Sequence, residues 1–166
     1  MGSGIAVAAT DDPLEAHGDL SLPPQPGTYA LLLRLERDCA LTVGRLGRFC
    51  FPAGIYVYVG SGHGPGGMAA RVARHLREPK PRRWHVDYLR PHAWPVEIWC
   101  AIGARKRECV WAQTLLTLPG ASIPVPRFGA SDCRCPAHLV HFSALPDRAA
   151  FAQAVGGPVM EVYLDE

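Results

Sequence analysis

The residues whose types and spacing suit chemistry begin in a glycine-rich loop and continue into the helix predicted to follow it. A run of β-branched and aromatic residues at 55–59 leads directly into the glycines of 60–67. A strand, a glycine turn and a helix amino terminus in this order direct backbone N–H groups at an anion. On the helix, Arg71, Arg74 and His75 fall on one face. The pattern therefore predicts an anion-binding site beside a basic helix face.

Basic residues are concentrated around this helix, because residues 67–90 hold seven Lys or Arg against two Asp or Glu. That excess suggests a polyanion as partner, and a solvated arginine-rich surface explains it equally well. One basic cluster in this stretch could bind a sugar–phosphate backbone through its Lys and Arg side chains while its tryptophan stacks on a base. The alternative is that the tryptophan packs in the core. The members of this cluster are Lys80, Arg82, Arg83 and Trp84.

The glycines also fit a different kind of site, a dinucleotide-binding loop. Gly62, Gly64 and Gly67 have the G-x-G-x-x-G spacing, and Asp87 stands about 20 residues further on, where an acid would meet a ribose. The following segments do not continue the strand–helix alternation of a doubly wound sheet, however, and the helix carries a basic stripe. Dinucleotide binding is therefore kept as a remote alternative.

A cysteine and histidine cluster near the carboxyl terminus offers four potential zinc ligands. They are Cys133, Cys135, His138 and His141. The C-x-C and H-x-x-H spacings differ from the usual C-x₂-C and H-x₃₋₅-H patterns of zinc sites. The spacing therefore favours buried thiols beside a turn over a zinc site.

The elements that must position these residues form a mixed α/β pattern. Strands are predicted over 29–35, 40–43, 49–51, 55–59, 96–102, 139–142 and 159–164, and residues 84–89 are also interpreted as extended. Helices are predicted over 68–77, 106–118 and 147–155. No internal repeat is present.

Composition places these elements in one compact domain with a tail. The chain has 166 residues, of which 48% are hydrophobic and 19% charged. Residues 1–26 are acidic and proline-rich, which predicts a disordered tail, and residues 27–166 are predicted to form a single domain. No run approaches the roughly 18 apolar residues that a membrane helix needs, and no secretion signal is evident. A cytoplasmic protein without a membrane partner is expected.

Several short motifs occur in an order that resembles the GIY-YIG nuclease superfamily. Gly27-Thr28-Tyr29 resembles the first motif and Tyr58-Val59-Gly60 the second, while Arg71 resembles the helix arginine and Glu108 the metal-binding glutamate. The wider pattern resembles an uncharacterised bacterial and archaeal branch, a domain of unknown function that also occurs fused to endonuclease III. It adds Val43-Gly44-Arg45-Leu46-Gly47, Phe51-Pro52-Ala53-Gly54, Arg74-His75-Leu76, Trp84-His85-Val86-Asp87-Tyr88-Leu89 and Phe128-Gly129-Ala130-Ser131-Asp132-Cys133.

The resemblance implies a fold and an activity. The fold would be α/β (α+β), a small central antiparallel sheet flanked by helices, with an extra hairpin over 40–51 between the two tyrosine motifs. The activity would be metal-dependent hydrolysis of DNA phosphodiester bonds, with DNA-repair proteins as further partners. Tyr29 or Tyr58 would be the general base, Arg71 would hold the phosphate, and Glu108 would bind one Mg²⁺ or Mn²⁺ ion.

Two further roles follow from this implied chemistry. Arg71 would lower the pKa of the tyrosine base, which is about 10 for an isolated phenol. His75, one turn along the same helix face, would support the tyrosine or contact phosphate, with an exposed surface histidine as the alternative. Gly60 and Arg74 join the predicted nucleic-acid contacts.

The chain departs from the superfamily pattern at two places. The literal Gly54-Ile55-Tyr56 lies in the same predicted strand as Tyr58, so it cannot pair with that motif across a sheet. The chain also contains no Asn, although many members place one after the metal glutamate. Ser131 or Asp132 could substitute for it. The alternative function is a nucleic-acid-binding module of the same fold with weak or absent cleavage.

Overall fold

The computed structural model describes residues 22–164, so residues 1–21 of the expected tail and residues 165–166 lie outside the described range. The strands are β1 (Gly27–Leu35), β2 (Cys39–Val43), β3 (Gly47–Phe51), β4 (Gly54–Gly62), β5 (Trp94–Ile102), β6 (Leu139–Phe142) and β7 (Met160–Tyr163). The helices are α1 (Gly67–Leu76), α2 (Val86–Leu89), α3 (Glu108–Leu115) and α4 (Arg148–Val155). No helix within residues 22–164 is long and apolar enough to cross a membrane.

Five of the strands form one sheet in the order β6-β4-β1-β5-β7, and every neighbouring pair is antiparallel. Strands β2 and β3 form a separate two-stranded hairpin. The expected antiparallel sheet with flanking helices and an extra hairpin is therefore confirmed. The remote dinucleotide-binding alternative requires a parallel, doubly wound sheet and is wrong about the fold.

The sheet is covered on both faces, which explains why its central strand is almost continuously apolar. Alternate residues of β1 point to opposite faces. Tyr29, Leu31 and Leu33 belong to the core formed with α1, α2 and the hairpin. Ala30 and Leu32 belong to the second core, formed with α3 and α4.

Residues 84–89 fold as a helical turn rather than as the extended segment the sequence predicts. Oδ2 of Asp87 accepts hydrogen bonds from the backbone N–H groups of Arg83 at 2.7 Å and Trp84 at 2.9 Å. These bonds fix the chain where it enters α2 and favour the turn over an extended segment. A six-residue segment is too short for hydrophobic periodicity to separate helix from strand.

The last five residues of the expected tail lie against α1. Leu22 is buried in the core, and the carbonyl groups of Pro23 and Gln25 accept hydrogen bonds from the backbone N–H groups of Ala69 and Met68. These bonds occupy the first turn of α1, which otherwise has unsatisfied donors. Residues 22–26 therefore begin the folded part of the chain, and this portion of the predicted tail is ordered.

Candidate functional site

A polar cleft of about 450 Å³ opens at the end of β4 where the sheet meets α1 and the start of α3. It contains three of the five expected catalytic residues: Tyr58 from β4, Arg71 from α1 and Glu108 from α3. These residues are far apart in sequence, and the fold brings them to one wall of the molecule. Other polar residues in the cleft are His63, Trp84, Lys106, Asp132 and His138.

The pairing of β1 with β4 explains the Tyr-Val-Gly motif sterically. Tyr29 stands opposite Gly60 in the antiparallel register. A Cβ atom on Gly60 would lie 2.5 Å from the hydroxyl oxygen of Tyr29. Gly60 therefore leaves the space that the Tyr29 phenol occupies, in addition to lining the cleft.

Tyr29 and His75 form a buried pair behind the cleft. The Tyr29 hydroxyl lies 2.7 Å from Nε2 of His75, and both residues are 1% exposed. Burial lowers the pKa of His75 to about 3, so its ring is neutral near pH 7. Of the three interpretations left open for His75, its position corresponds to support of a tyrosine, because its ring is also packed against Tyr58 and Trp84.

The two tyrosines differ in access to the cleft. Tyr58 lines it, whereas Tyr29 lies beneath. Burial raises the pKa of Tyr58 to about 12 despite the opposing charge of Arg71, and burial also raises the pKa of Tyr29 above its usual value. Arg71 lowers the pKa of both tyrosines, as expected, but desolvation of the phenols outweighs its field, so the net shift is upward.

Three guanidinium groups surround the half-buried indole of Trp84. Those of Arg71, Arg74 and Arg83 lie 4.5, 4.2 and 5.0 Å from its ring centroid. Cation–π contacts of this kind help to hold the arginine side chains in place over the indole. Within residues 22–164, Arg71 and Arg83 form no ion pair.

Two of the expected nucleic-acid contacts have other partners. Arg74 donates to both carboxylate oxygens of Asp87, at 3.2 and 3.1 Å, and to the Pro81 carbonyl. Asp87 therefore holds an arginine and is not placed to meet a ribose.

Nζ of Lys80 donates to Glu78 and to two carbonyl groups at the end of α1, and its side chain is 1% exposed. Lys80 therefore completes the helix end rather than facing a ligand. The exposed Arg82 lies over the Tyr88 ring at 5.3 Å.

The anion site predicted at the start of α1 is also wrong. The backbone N–H groups of Gly67 and Ala70 donate to the carbonyls of Gly64 and Gly66, while Met68 and Ala69 use the chain before β1. All four donors of the first turn therefore have protein partners. The basic side chains, rather than the helix amino terminus, give the cleft its positive wall.

Glu108 is the first residue of α3 and projects into the cleft. Its Oε2 atom is buried and has no hydrogen-bond partner among the described residues. The backbone N–H of the preceding Arg107 donates to Oγ1 of Thr28 at 3.3 Å, which ties the start of α3 to β1. Of the two proposed replacements for asparagine, Asp132 lines the cleft and Ser131 does not.

A metal-ligand cluster lies beside Glu108, and its composition corrects the expected cofactor. Ligand atoms of Cys109, Cys133, Cys135 and His138 all lie within 4.8 Å of one another. Thiolate and imidazole ligands suit zinc, whereas Mg²⁺ and Mn²⁺ prefer oxygen. The expectation of a carboxylate-held Mg²⁺ or Mn²⁺ ion, with zinc disfavoured, is therefore wrong.

Three of the four expected zinc ligands, Cys133, Cys135 and His138, lie in the cluster, and the fourth, His141, does not. His141 lies on β6, where Nε2 donates to the Ala53 carbonyl at 2.9 Å and the ring packs on Tyr56. Cys109 takes its place in the cluster, 24 residues before Cys133. Burial, followed by the thiols of Cys135 and Cys133, raises the pKa of Cys109 to about 12. The sequence also gave no sign that His63 and Lys106 line the cleft.

Comparison with known proteins gives one match. A family model described as "Domain of unknown function DUF123" matches residues 28–157, which include every residue of the cleft and of the cysteine–histidine cluster. No curated protein has a significant match to the chain. No solved structure has one either.

Proposed function

The chain belongs to the DUF123 family, a domain of unknown function, and we propose that it is a nuclease that binds DNA in the cleft and hydrolyses a phosphodiester bond there. The observation that carries the proposal is the convergence of Tyr58, Arg71 and Glu108 on one polar cleft. The resemblance of the ordered motifs to GIY-YIG nucleases supports it. The buried pair of Tyr29 and His75 supports it as well, because it fixes the wall behind Tyr58.

The phosphate is bound by charge and by hydrogen bonds. Arg71 carries a permanent positive charge and a planar set of donors that suits a phosphate oxygen pair. The neutral Tyr58 hydroxyl has no hydrogen-bond partner within residues 22–164 and is free to donate to a phosphate oxygen. Lys106 adds a second cation to the same wall. Negative charge that develops on the phosphoryl group in the transition state is stabilised by the same groups.

Glu108 activates the attacking water. Its unpartnered Oε2 atom accepts a hydrogen bond from a water molecule in the cleft and then takes the proton as the water oxygen bonds to phosphorus. The bond from phosphorus to the leaving oxygen breaks, and a proton from solvent neutralises that oxygen. The proton on Glu108 returns to solvent, which restores the site.

A binding module without cleavage is the second candidate, and the tyrosine pKa values favour it. Neither phenol is ionised near neutral pH, so the tyrosine base of the resemblance would not operate in the free protein. Such a module would keep the basic wall formed by Arg71 and Lys106. It would bind DNA without breaking it.

The test measures binding and cleavage separately on single-stranded, duplex and branched DNA and on RNA. Reactions are run with and without added divalent cations, comparing wild type with Arg71→Ala. The matched control is Arg77→Ala, which removes an exposed arginine from the end of the same helix outside the cleft. The nuclease proposal expects cleavage by wild type and the control, and its loss in Arg71→Ala. Binding without cleavage on every substrate would contradict the nuclease and support the binding module. The absence of both binding and cleavage would contradict both candidates.

A further inference from the structure

We propose that Cys109, Cys133, Cys135 and His138 bind one Zn²⁺ ion in a closed, structural site that fastens the start of α3 to the segment 127–138. The site does not depend on the proposed nuclease activity, because it rests on the ligand geometry alone. Zinc binding would affect the cleft by holding one of its residues in position. The ion would fix the helix end that carries Glu108.

The distances between the ligand atoms match a tetrahedral zinc site. With Zn–S bonds of about 2.3 Å and a Zn–N bond of about 2.0 Å at tetrahedral angles, sulfur and nitrogen ligands stand about 3.5 Å apart. Nε2 of His138 lies 3.7 Å from the sulfur of Cys109 and 3.4 Å from that of Cys133. All four ligand atoms also lie within one 4.8 Å group. The cluster therefore has the dimensions of a coordination sphere with the ion at its centre.

The cysteines are free of disulfides, so each can lose its proton to a metal ion and bind it as a thiolate. None of the three cysteine ligands is in a disulfide, and Cys135 and His138 are 3% and 5% exposed. Three cysteines and a histidine from two separate segments bring four ligands that suit zinc into one group, with all ligand atoms within 4.8 Å of one another. Cys₃His is a ligand set of structural zinc sites, and four protein ligands leave no open position for a substrate.

Hydrogen bonds within the segment that carries three of the ligands give that segment a defined shape. The guanidinium of Arg127 donates to the carbonyls of Ala130, Cys133 and Cys135, at 2.6, 2.5 and 2.6 Å. Arg127 also has a left-handed backbone, with a φ of 67°, and its N–H donates to the Pro136 carbonyl. These bonds hold Cys133 and Cys135 on the same side of the turn. Outer contacts of this kind orient metal ligands and strengthen binding.

His138 connects the site to the sheet. Its backbone N–H donates to the Phe128 carbonyl at 2.7 Å, and its carbonyl accepts from the N–H of Val59 at 2.9 Å. Val59 stands next to Tyr58 in β4. An ion held by His138 and Cys109 would therefore couple the strand that carries Tyr58 to the helix that carries Glu108.

The experiment begins with the zinc content of the full chain, purified under reducing conditions without added metal and measured by elemental analysis. The proposal expects one zinc per chain. It also expects Co²⁺ exchanged into the wild-type protein to show thiolate-to-metal charge-transfer absorption with tetrahedral d–d bands. Wild type that holds no zinc and takes up neither Zn²⁺ nor Co²⁺ would overturn the proposal without reference to any variant.

Matched variants then locate the site. His138→Gln and Cys133→Ser are expected to lower zinc affinity by about tenfold or more. His141→Gln and Cys50→Ser are the controls, because His141 bonds to Ala53 and Cys50 is an exposed cysteine on β3. Zinc lost in His141→Gln and kept in His138→Gln would contradict the assignment.

The positional consequence has its own readout. Removing zinc from wild type with a chelator is expected to lower the unfolding temperature and to increase amide hydrogen exchange in residues 127–138 and in the first turn of α3. Helix α4 packs with α3 in the second core and supplies no ligand to the cluster. Amide exchange in α4 therefore serves as the internal reference. Equal exchange in all segments, with and without zinc, would contradict the fastening role.

Discussion

The phenol of Tyr29 occupies the space that a side chain on Gly60 would need. The two residues stand opposite each other in neighbouring strands, and a Cβ atom on Gly60 would meet the Tyr29 hydroxyl oxygen at 2.5 Å and its Cζ atom at 2.7 Å. The hydroxyl in turn lies 2.7 Å from Nε2 of His75. One glycine therefore permits the pair that supports the back of the cleft.

Gly60→Ala is expected to destabilise the protein by about 1–3 kcal/mol, because the buried Tyr29 ring must move away from its hydrogen-bond partner. Urea unfolding monitored by circular dichroism measures the change. Gly64→Ala is the matched control. Gly64 lies two residues beyond the end of β4, an added Cβ there would have no atom within 4 Å, and the variant should keep the wild-type stability. Equal stability of the Gly60→Ala variant and wild type would be evidence against the close approach.

The neutral, buried His75 predicts a loss of stability in acid. Burial lowers its pKa to about 3 in the folded state, whereas the unfolded chain has a value near 6.5. Between these values the unfolded state binds more protons, so this group's contribution is complete above about pH 6.5. It is lost as the pH falls towards 3, at up to about 1.4 kcal/mol per pH unit.

The measurement is the free energy of unfolding as a function of pH for wild type, His75→Gln and His92→Gln. Loss of His75 should flatten the slope between pH 6.5 and 3. His92 is exposed, so the His92→Gln control should keep the wild-type slope. A wild-type slope in His75→Gln would mean that another group carries the acid sensitivity.

Much of the fold followed from local pattern, because β1, β4 and α1 have the periodicities of a buried strand and an amphipathic helix. The resemblance of the ordered motifs to GIY-YIG nucleases implied that Tyr58, Arg71 and Glu108 belong together. The errors arose where a side chain competes with the backbone pattern. Asp87 bonds to nearby N–H groups and folds residues 84–89 as a turn.

Contacts distant in sequence were the other source of error. Cys109 joins a cluster 24 residues away, so no local spacing motif includes it. The basic stretch at 67–90 predicted a positive surface but not which of its side chains bond within the protein. Arg74 pairs with Asp87, and Lys80 donates to carbonyl groups at the end of α1. The one sequence signal for Cys109 was a cysteine directly after a candidate site glutamate.

Asp87→Asn is expected to destabilise the protein by about 2–3 kcal/mol. It removes the charge that Arg74 pairs with and weakens two backbone hydrogen bonds. Chemical denaturation measures the loss. Asp132→Asn changes an exposed carboxylate without an ion pair in the described range, and it should alter stability by less than about 0.5 kcal/mol. A similar small effect in both variants would show that the Asp87 network adds little.

Arg127→Gln is expected to weaken zinc binding by about tenfold, since it removes the guanidinium that holds the carbonyls of Cys133 and Cys135. Competition with a coloured zinc chelator measures the affinity. Arg134→Gln removes an exposed arginine from the same turn and should leave the affinity unchanged. Equal zinc affinities of the Arg127→Gln and Arg134→Gln variants would contradict a role for Arg127 in orienting the ligands.

The most direct test of the central claim compares DNA cleavage and DNA affinity in Glu108→Gln. Glutamine keeps the shape of the side chain and loses its ability to take a proton from water. The account predicts a fall in cleavage rate of about 10²–10⁴-fold with affinity changed by less than about threefold. The exposed Glu36→Gln is the control and should leave both quantities unchanged. Cleavage at the wild-type rate by Glu108→Gln would contradict the proposed chemistry.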